Sequence, residues 1–209
     1  LYVRMRRNPL AYGISVTERL EDPTCAVRLR AIARDAAQTL RNAGMILFDR
    51  PEADGAMRIK NIGRISSLYY LCHETVEVLV KLLRPEAGEE TLLGLVCCSA
   101  EFSSVRVREE EMGDLEDLAG FCPLRINADL ATTAGKVAVL LQSYISRASP
   151  ASSFSLQTDQ NYVAQNTGRI LRALFEMVRG LGWAQCARRA LDLCKAFERR
   201  RWPVDNLLL

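Results

Sequence analysis

Tyr162, Gln165, Asn166, Arg169 and Arg172 have the side-chain types and the spacing to grip a nucleic-acid strand. On a helix turning about 100° per residue they gather, with Ala173 and Glu176, inside an arc of roughly 120°. Guanidinium forks pair with phosphates, amides hydrogen-bond base edges, and an aromatic ring or guanidinium plane stacks on a base. Val163, Ile170, Leu171, Leu174, Phe175, Met177 and Val178 fill the rest of the circumference. A helix this apolar is expected at the centre of a bundle, its polar stripe facing a crevice or channel. The stripe also has a plainer use, as a solvated face carrying Arg169–Glu176 and Arg172–Glu176 pairs.

Other chemistry is poorly provided for. His73 is the only histidine, and the sequence holds neither a Gly-x-x-x-x-Gly-Lys-Ser/Thr loop nor a Gly-x-Ser-x-Gly elbow, so neither a P-loop nor a histidine-based triad can be assembled from it. The seven cysteines, Cys25, Cys72, Cys97, Cys98, Cys122, Cys186 and Cys194, form no Cys-x-x-Cys pair. With a single histidine they make no zinc site of ordinary spacing, and their scattered, odd-numbered placement fits a reducing compartment. Cys97 and Cys98 read as small apolar fillers of a core helix. Glu109-Glu110-Glu111 point in different directions on a helix and cannot converge on one ion; they read instead as an acidic helix start. No catalytic residue and no metal ligand is expected.

The elements that must position the stripe are mostly helical in period. Thr24 is placed to cap a helix running to about Ala43, which Gly44 closes. Met45 to Asp49 and Ala56 to Ile62, around a Pro/Asp/Gly stretch, read as a β-hairpin, and a helix followed by a hairpin is how a winged-helix domain ends. Helical stretches follow at 64–83, 89–98, 109–118, 134–146, 162–178 and 184–200. For 162–178, Asp159 or Asn161 can cap the start and Gly180 with Gly182 the end. Gly168, which costs about 1 kcal/mol relative to Ala inside a helix, reads as a site of tight helix packing. The fold class expected is mainly α: a partial winged helix, then an all-α helical bundle.

With 49% hydrophobic and 25% charged residues the composition is that of a globular chain, and the longest apolar run, Leu92 to Ala100, is far short of the roughly 20 residues of a membrane span. No membrane partner is expected. The sequence opens without Met and without a signal-peptide pattern, and is expected to be a piece of something longer. Charge is unevenly spread: 14 basic and 9 acidic residues over 1–84, 3 and 11 over 85–135, and 11 and 5 over 136–209. Two basic surfaces separated by an acidic one permit a nucleic-acid partner without requiring it.

Several strings, in order along nearly the whole chain, carry a resemblance. They are Leu1 to Ser15 (LYVRMRRNPLAYGIS), Ile62 to Tyr70 (IGRISSLYY), Glu101-Phe102 with Val107 to Glu111, Leu140 to Arg147 (LLQSYISR), Tyr162 to Glu176 (YVAQNTGRILRALFE) and Leu193-Cys-Lys195. The chain resembles the Ski-two-like superfamily-two helicases of the Brr type. Its opening and Tyr162 strings are most similar to the branch holding the helicase subunit of the activating signal cointegrator complex. The resemblance implies a partial winged-helix domain at 1–61 and, at 62–202, the helical bundle shared with the translocation protein Sec sixty-three, with 203–209 an unmatched tail. It implies that 162–178 is the central ratchet helix gripping a translocating single strand of RNA or DNA, first through Asn166 and Arg169, then through Gln165, Arg172 and Tyr162. ATP and Mg would be bound by RecA-like domains lying before residue 1, so no cofactor is expected in this chain. Those domains, and other subunits of a multiprotein complex, are the expected protein partners, in the nucleus or the cytoplasm. Leu68 stands where the family usually has a histidine. The rival expectation is a protein-docking module of an inactive helicase cassette, with the acidic block between Pro85 and Asp129 as its partner site.

Overall fold

The computed structural model describes residues 2–48, 56–148, 150 and 153–203. Packing divides the chain into two units, Leu1–Asn42 with Ile46–Ile59, and Ala43–Met45 with Lys60–Leu209. The first holds α1 (Tyr2–Arg7), a 3-10 turn at Pro9–Tyr12, α2 (Val16–Glu21), α3 (Ala26–Asn42), β1 (Ile46–Phe48) and β2 (Met57–Ile59). Met5, Ile14 and Cys25 form its small core, with Tyr12, Leu29 and Ile32 packed against them. Asp22, not Thr24, caps α3: its carboxylate accepts the Val27 N–H at 2.8 Å and the Thr24 hydroxyl at 2.9 Å. Cys25 lies at φ 55°, and that turn brings Asp22 back to the free N–H groups of the first helical turn. The hairpin forms antiparallel with Ile46 opposite Ile59 and Phe48 opposite Met57; Asp49 and its 50–55 turn lie outside the described residues, as does 204–209 of the tail.

The regular elements of the second unit are all helices among its described residues: α4 (Asn61–Leu68), α5 (His73–Leu82), α6 (Glu89–Cys97), α7 (Met112–Ala119), α8 (Thr133–Ile145), α9 (Phe154–Gly180) and α10 (Ala184–Arg199), with 3-10 turns at Ala100–Phe102 and Glu109–Glu111. The mainly α expectation therefore holds. No described helix is long and apolar enough to cross a membrane. α9 packs on α4, α6, α8 and α10, and α8 is buried continuously from Gly135 to Ser143. Gly168 lets α10 approach: a Cβ there would lie 3.1 Å from the Phe197 ring. The end of α10 is tied back to α8, because Arg147 donates to the Arg200 carbonyl at 3.1 Å while the Arg200 guanidinium lies over the Tyr144 ring at 4.3 Å.

Three expectations about these helices need correction. The stretch 64–83 is two helices, parted at Tyr69–Cys72 where Tyr70 takes φ 52°. The helix expected at 162–178 begins at Phe154, eight residues earlier, with Ser153 as its cap; Asp159 and Asn161 lie within it. Cys98 is exposed just beyond α6, so only Cys97 of that pair fills the core.

Candidate nucleic-acid interface

The site is assembled around a carboxylate that the spacing of the stripe does not reveal. Glu101 is buried, and its carboxylate accepts the Cys72 N–H at 2.8 Å and, in a short hydrogen bond, the Thr75 hydroxyl. It thereby caps α5 from 29 residues away, placing negative charge at the positive end of that helix. Its backbone carbonyl accepts the Tyr162 hydroxyl at 2.9 Å, and Arg169 Nη1 lies 3.8 Å from its Oε1. The α4–α5 break and the start of the stripe on α9 are thus fixed to one residue.

Arg169 completes that junction. Its Nη1 donates to the Tyr69 carbonyl at 3.1 Å and, more closely, to the Tyr70 carbonyl, while Nη2 donates to Asn166 Oδ1 at 2.9 Å. The Asn166 Nδ2 donates in turn to the Tyr162 carbonyl at 3.0 Å. Asn166 and Arg169 are therefore engaged in holding the fold, with the Arg169 side chain 29% exposed. The Arg169 Nε–H has no partner among the described residues and remains available.

The outer part of the stripe is open. Gln165 is exposed and has no hydrogen-bond partner among the described residues. Arg172, 57% exposed, donates through Nε at 3.0 Å and Nη2 at 2.6 Å to one oxygen of Glu198, itself about half exposed. That pair and the Arg169–Glu101 pair replace the expected Glu176 pairs; Glu176 is taken by Arg179 at 2.6 Å. Ala173 falls on the stripe by angle but is fully buried, so the polar row closes after Arg172. Beside it α4 exposes Arg64 and Leu68, and the following turn exposes Tyr70. Tyr70 was missed as a site residue because a continuous helix would place it on a regular face, and only the break turns it outward.

The Sec63 Brl domain family matches residues 59–205, taking in the whole of the unit that carries this site from Lys60 to Pro203. The chain belongs to that family. Its resemblance to Brr-type, Ski-two-like helicases likewise extends over the full length. The RQC trigger complex helicase SLH1 of Saccharomyces cerevisiae is 39% identical over 209 residues, all of this chain and 10% of the relative. Activating signal cointegrator 1 complex subunit 3 of Bos taurus is 39% identical over 203 residues, 97% of the chain and 9% of the relative. The U5 small nuclear ribonucleoprotein 200 kDa helicase of Homo sapiens is 36% identical over 202 residues, again 97% and 9%. The chain spans about a tenth of the length of the curated relatives it matches.

This Sec63 Brl domain also buries a charge network, one of whose members, Glu111, belongs to the run expected as an acidic helix start. Lys136, with no exposed side-chain surface, donates to Glu111 Oε2 at 2.5 Å, Asp159 Oδ2 at 2.7 Å and the Arg106 carbonyl at 2.8 Å. Burial pushes the Glu111 carboxyl up, but hydrogen bonds from Lys136, Ser155 and Arg108 outweigh it and hold the group at about 2. Arg108 reaches Glu111 at 2.5 Å from the solvent side. The buried Lys136 ammonium and Glu111 carboxylate are thus engaged by groups of the same cluster, which suits bracing of α8 against α9 better than chemistry.

The thiols are equally unsuited to chemistry. Burial raises those of Cys72, Cys97, Cys98, Cys122, Cys186 and Cys194 above the usual range, to about 11 at Cys122 and Cys194. Raised thiols hold little nucleophilic thiolate near neutral pH. His73, at the first position of α5, lies 3.1 Å from Glu74.

Proposed function

We propose that this chain is an accessory, strand-gripping segment of an ATP-dependent RNA or DNA helicase, guiding a translocating single strand along α9. The observation that carries this is the open outer stripe: Gln165, unpartnered among the described residues, and two helical turns on Arg172, whose hydrogen-bond partner among them is the half-exposed Glu198 carboxylate, which a phosphate oxygen can replace. Arg169 and Asn166 act behind them, fixing the α4–α5 turn and leaving the Arg169 Nε–H free for the strand. Tyr162 fixes the start of the row through Glu101. Contacts of this kind position a backbone and carry little sequence information, so weak sequence preference follows. The names of the relatives, helicases of the U5 ribonucleoprotein and of the RQC trigger complex, support the reading.

ATP and Mg would be bound by RecA-like domains of a longer protein, and residues 1–61 would be part of a winged helix. Nucleus and cytoplasm are both proposed locations. Those RecA-like domains and further subunits of a complex are the proposed protein partners.

A second reading, a docking module of an inactive cassette, is favoured by a crevice of about 210 Å³ lined by Leu93, Cys97, Cys98, Arg125, Ala134 and Ala138. Most of its lining comes from the acidic part of the sequence, with Ala138 contributed by α8 beyond it. Binding of a fluorescent single strand across a salt series separates the two. Strand gripping predicts affinity that falls steeply with salt, because phosphate contacts release counterions, and weaker binding by the Gln165→Ala/Arg172→Gln variant. Docking predicts negligible strand binding at every salt concentration.

A further inference from the structure

We infer that Tyr70 is a stacking platform for one base of the bound strand. The inference rests on the strand-binding reading above and adds the part of the ligand being recognised: a nucleobase face, beyond the phosphates. Tyr70 is 84% exposed, yet its backbone lies at φ 52°, where residues with a Cβ are rarely found. Glycine or asparagine serves such a turn with less strain. Packing does not compensate the tyrosine, because the ring buries little.

The turn is held from behind. Arg169 donates to the carbonyls of both Tyr69 and Tyr70, and Glu101, which Arg169 also approaches, accepts the N–H of Cys72 just beyond. A strained residue that its surroundings over-determine is a pre-organised one: the ring is presented to solvent before any ligand arrives. Leu68, 69% exposed, ends α4 two residues before Tyr70, and Arg64 stands exposed one helical turn before Leu68 with no partner among the described residues.

The border of this patch selects its occupant. Arg169 and, on α4, exposed Arg64 are cationic; of the acids acting on Cys72, Glu101 is buried and spent on Cys72, Thr75 and Arg169, and exposed Glu74 lies 3.1 Å from His73 Nδ1. An exposed aromatic ring on a turn whose carbonyls Arg169 holds suits a polyanion that carries planar rings, which describes a single strand of nucleic acid. Any base offers a π face, so the platform is indifferent to sequence, as a translocating strand requires.

The test compares a 12-nucleotide oligothymidylate with an abasic backbone of the same length, on the full chain and its Tyr70→Phe, Tyr70→Leu and Tyr70→Gly variants. Wild type and Tyr70→Phe are expected to hold the base-bearing strand roughly tenfold more tightly than the abasic one. Tyr70→Leu and Tyr70→Gly should lose most of that preference and keep the wild-type affinity for the abasic strand. Glycine relieves the left-handed backbone, so the thermal midpoint of Tyr70→Gly should stay at or above that of wild type, separating lost stacking from lost structure. Wild-type preference for bases in Tyr70→Leu and Tyr70→Gly would overturn the inference alone. Failure of the wild-type chain to bind either strand would overturn the strand-binding reading and the platform with it.

Discussion

Arg169 serves the fold before it can serve a ligand. Its guanidinium satisfies the carbonyls of Tyr69 and Tyr70 and Asn166 Oδ1, and lies near buried Glu101. Hydrogen bonds to charged groups contribute about 1.5–3 kcal/mol each, so Arg169→Ala is expected to lower unfolding stability by about 2–3 kcal/mol in urea titration. Arg172→Gln removes only an exposed pair and should cost less than about 1 kcal/mol. Equal losses for the two variants would contradict this division of labour. Binding experiments on the stripe accordingly belong at Gln165 and Arg172, where folding does not confound them. Apart from buried Ala173, the membership of the stripe is legible from helical spacing. Which of its members are spent is not, because the partners sit 26 residues away at Glu198 and 100 residues away at Tyr69.

At the scale of elements, helices α3, α6, α8 and α10, the hairpin and the Gly168 contact could be read from period, Gly and Pro. The α4–α5 break could not. Its signal is neither a proline nor a local cap; the N-terminus of α5 is capped by Glu101 and Thr75 works beside it. Tertiary satisfaction of the same kind hid the true start of α9, since Asp159, read as a cap, is instead a partner of buried Lys136. That network makes a pH prediction with a definite sign. The Glu111 carboxyl is held at about 2 in the folded chain against 4.5 for the free group, so its stabilisation is complete above pH 4.5 and is lost as pH falls towards 2. Integrated, the shift amounts to about 3 kcal/mol. Urea midpoints of the wild type should fall over that window, and those of Glu111→Gln should fall distinctly less; parallel slopes would contradict the assignment. Lys136→Met, which strands two carboxylates, is expected to cost about 3–5 kcal/mol.

For the whole molecule, the uneven charge acquires a structural counterpart: the described part of the acidic stretch holds α6, α7 and the crevice beside Cys98, whereas the stripe lies on α9 with Arg64 and Tyr70 near it. The family, with its matched residues 59–205, covers the unit that carries the stripe. Where a strand lies on this surface decides between gripping and docking. Photocrosslinking of a single strand bearing 4-thiothymidine, followed by mass-spectrometric mapping of the attached peptides, tests this most directly. Crosslinks are expected on α9 around Gln165 and Arg172 and on the 64–72 segment around Tyr70. Crosslinks confined to residues 85–129, or to α3, would contradict strand gripping.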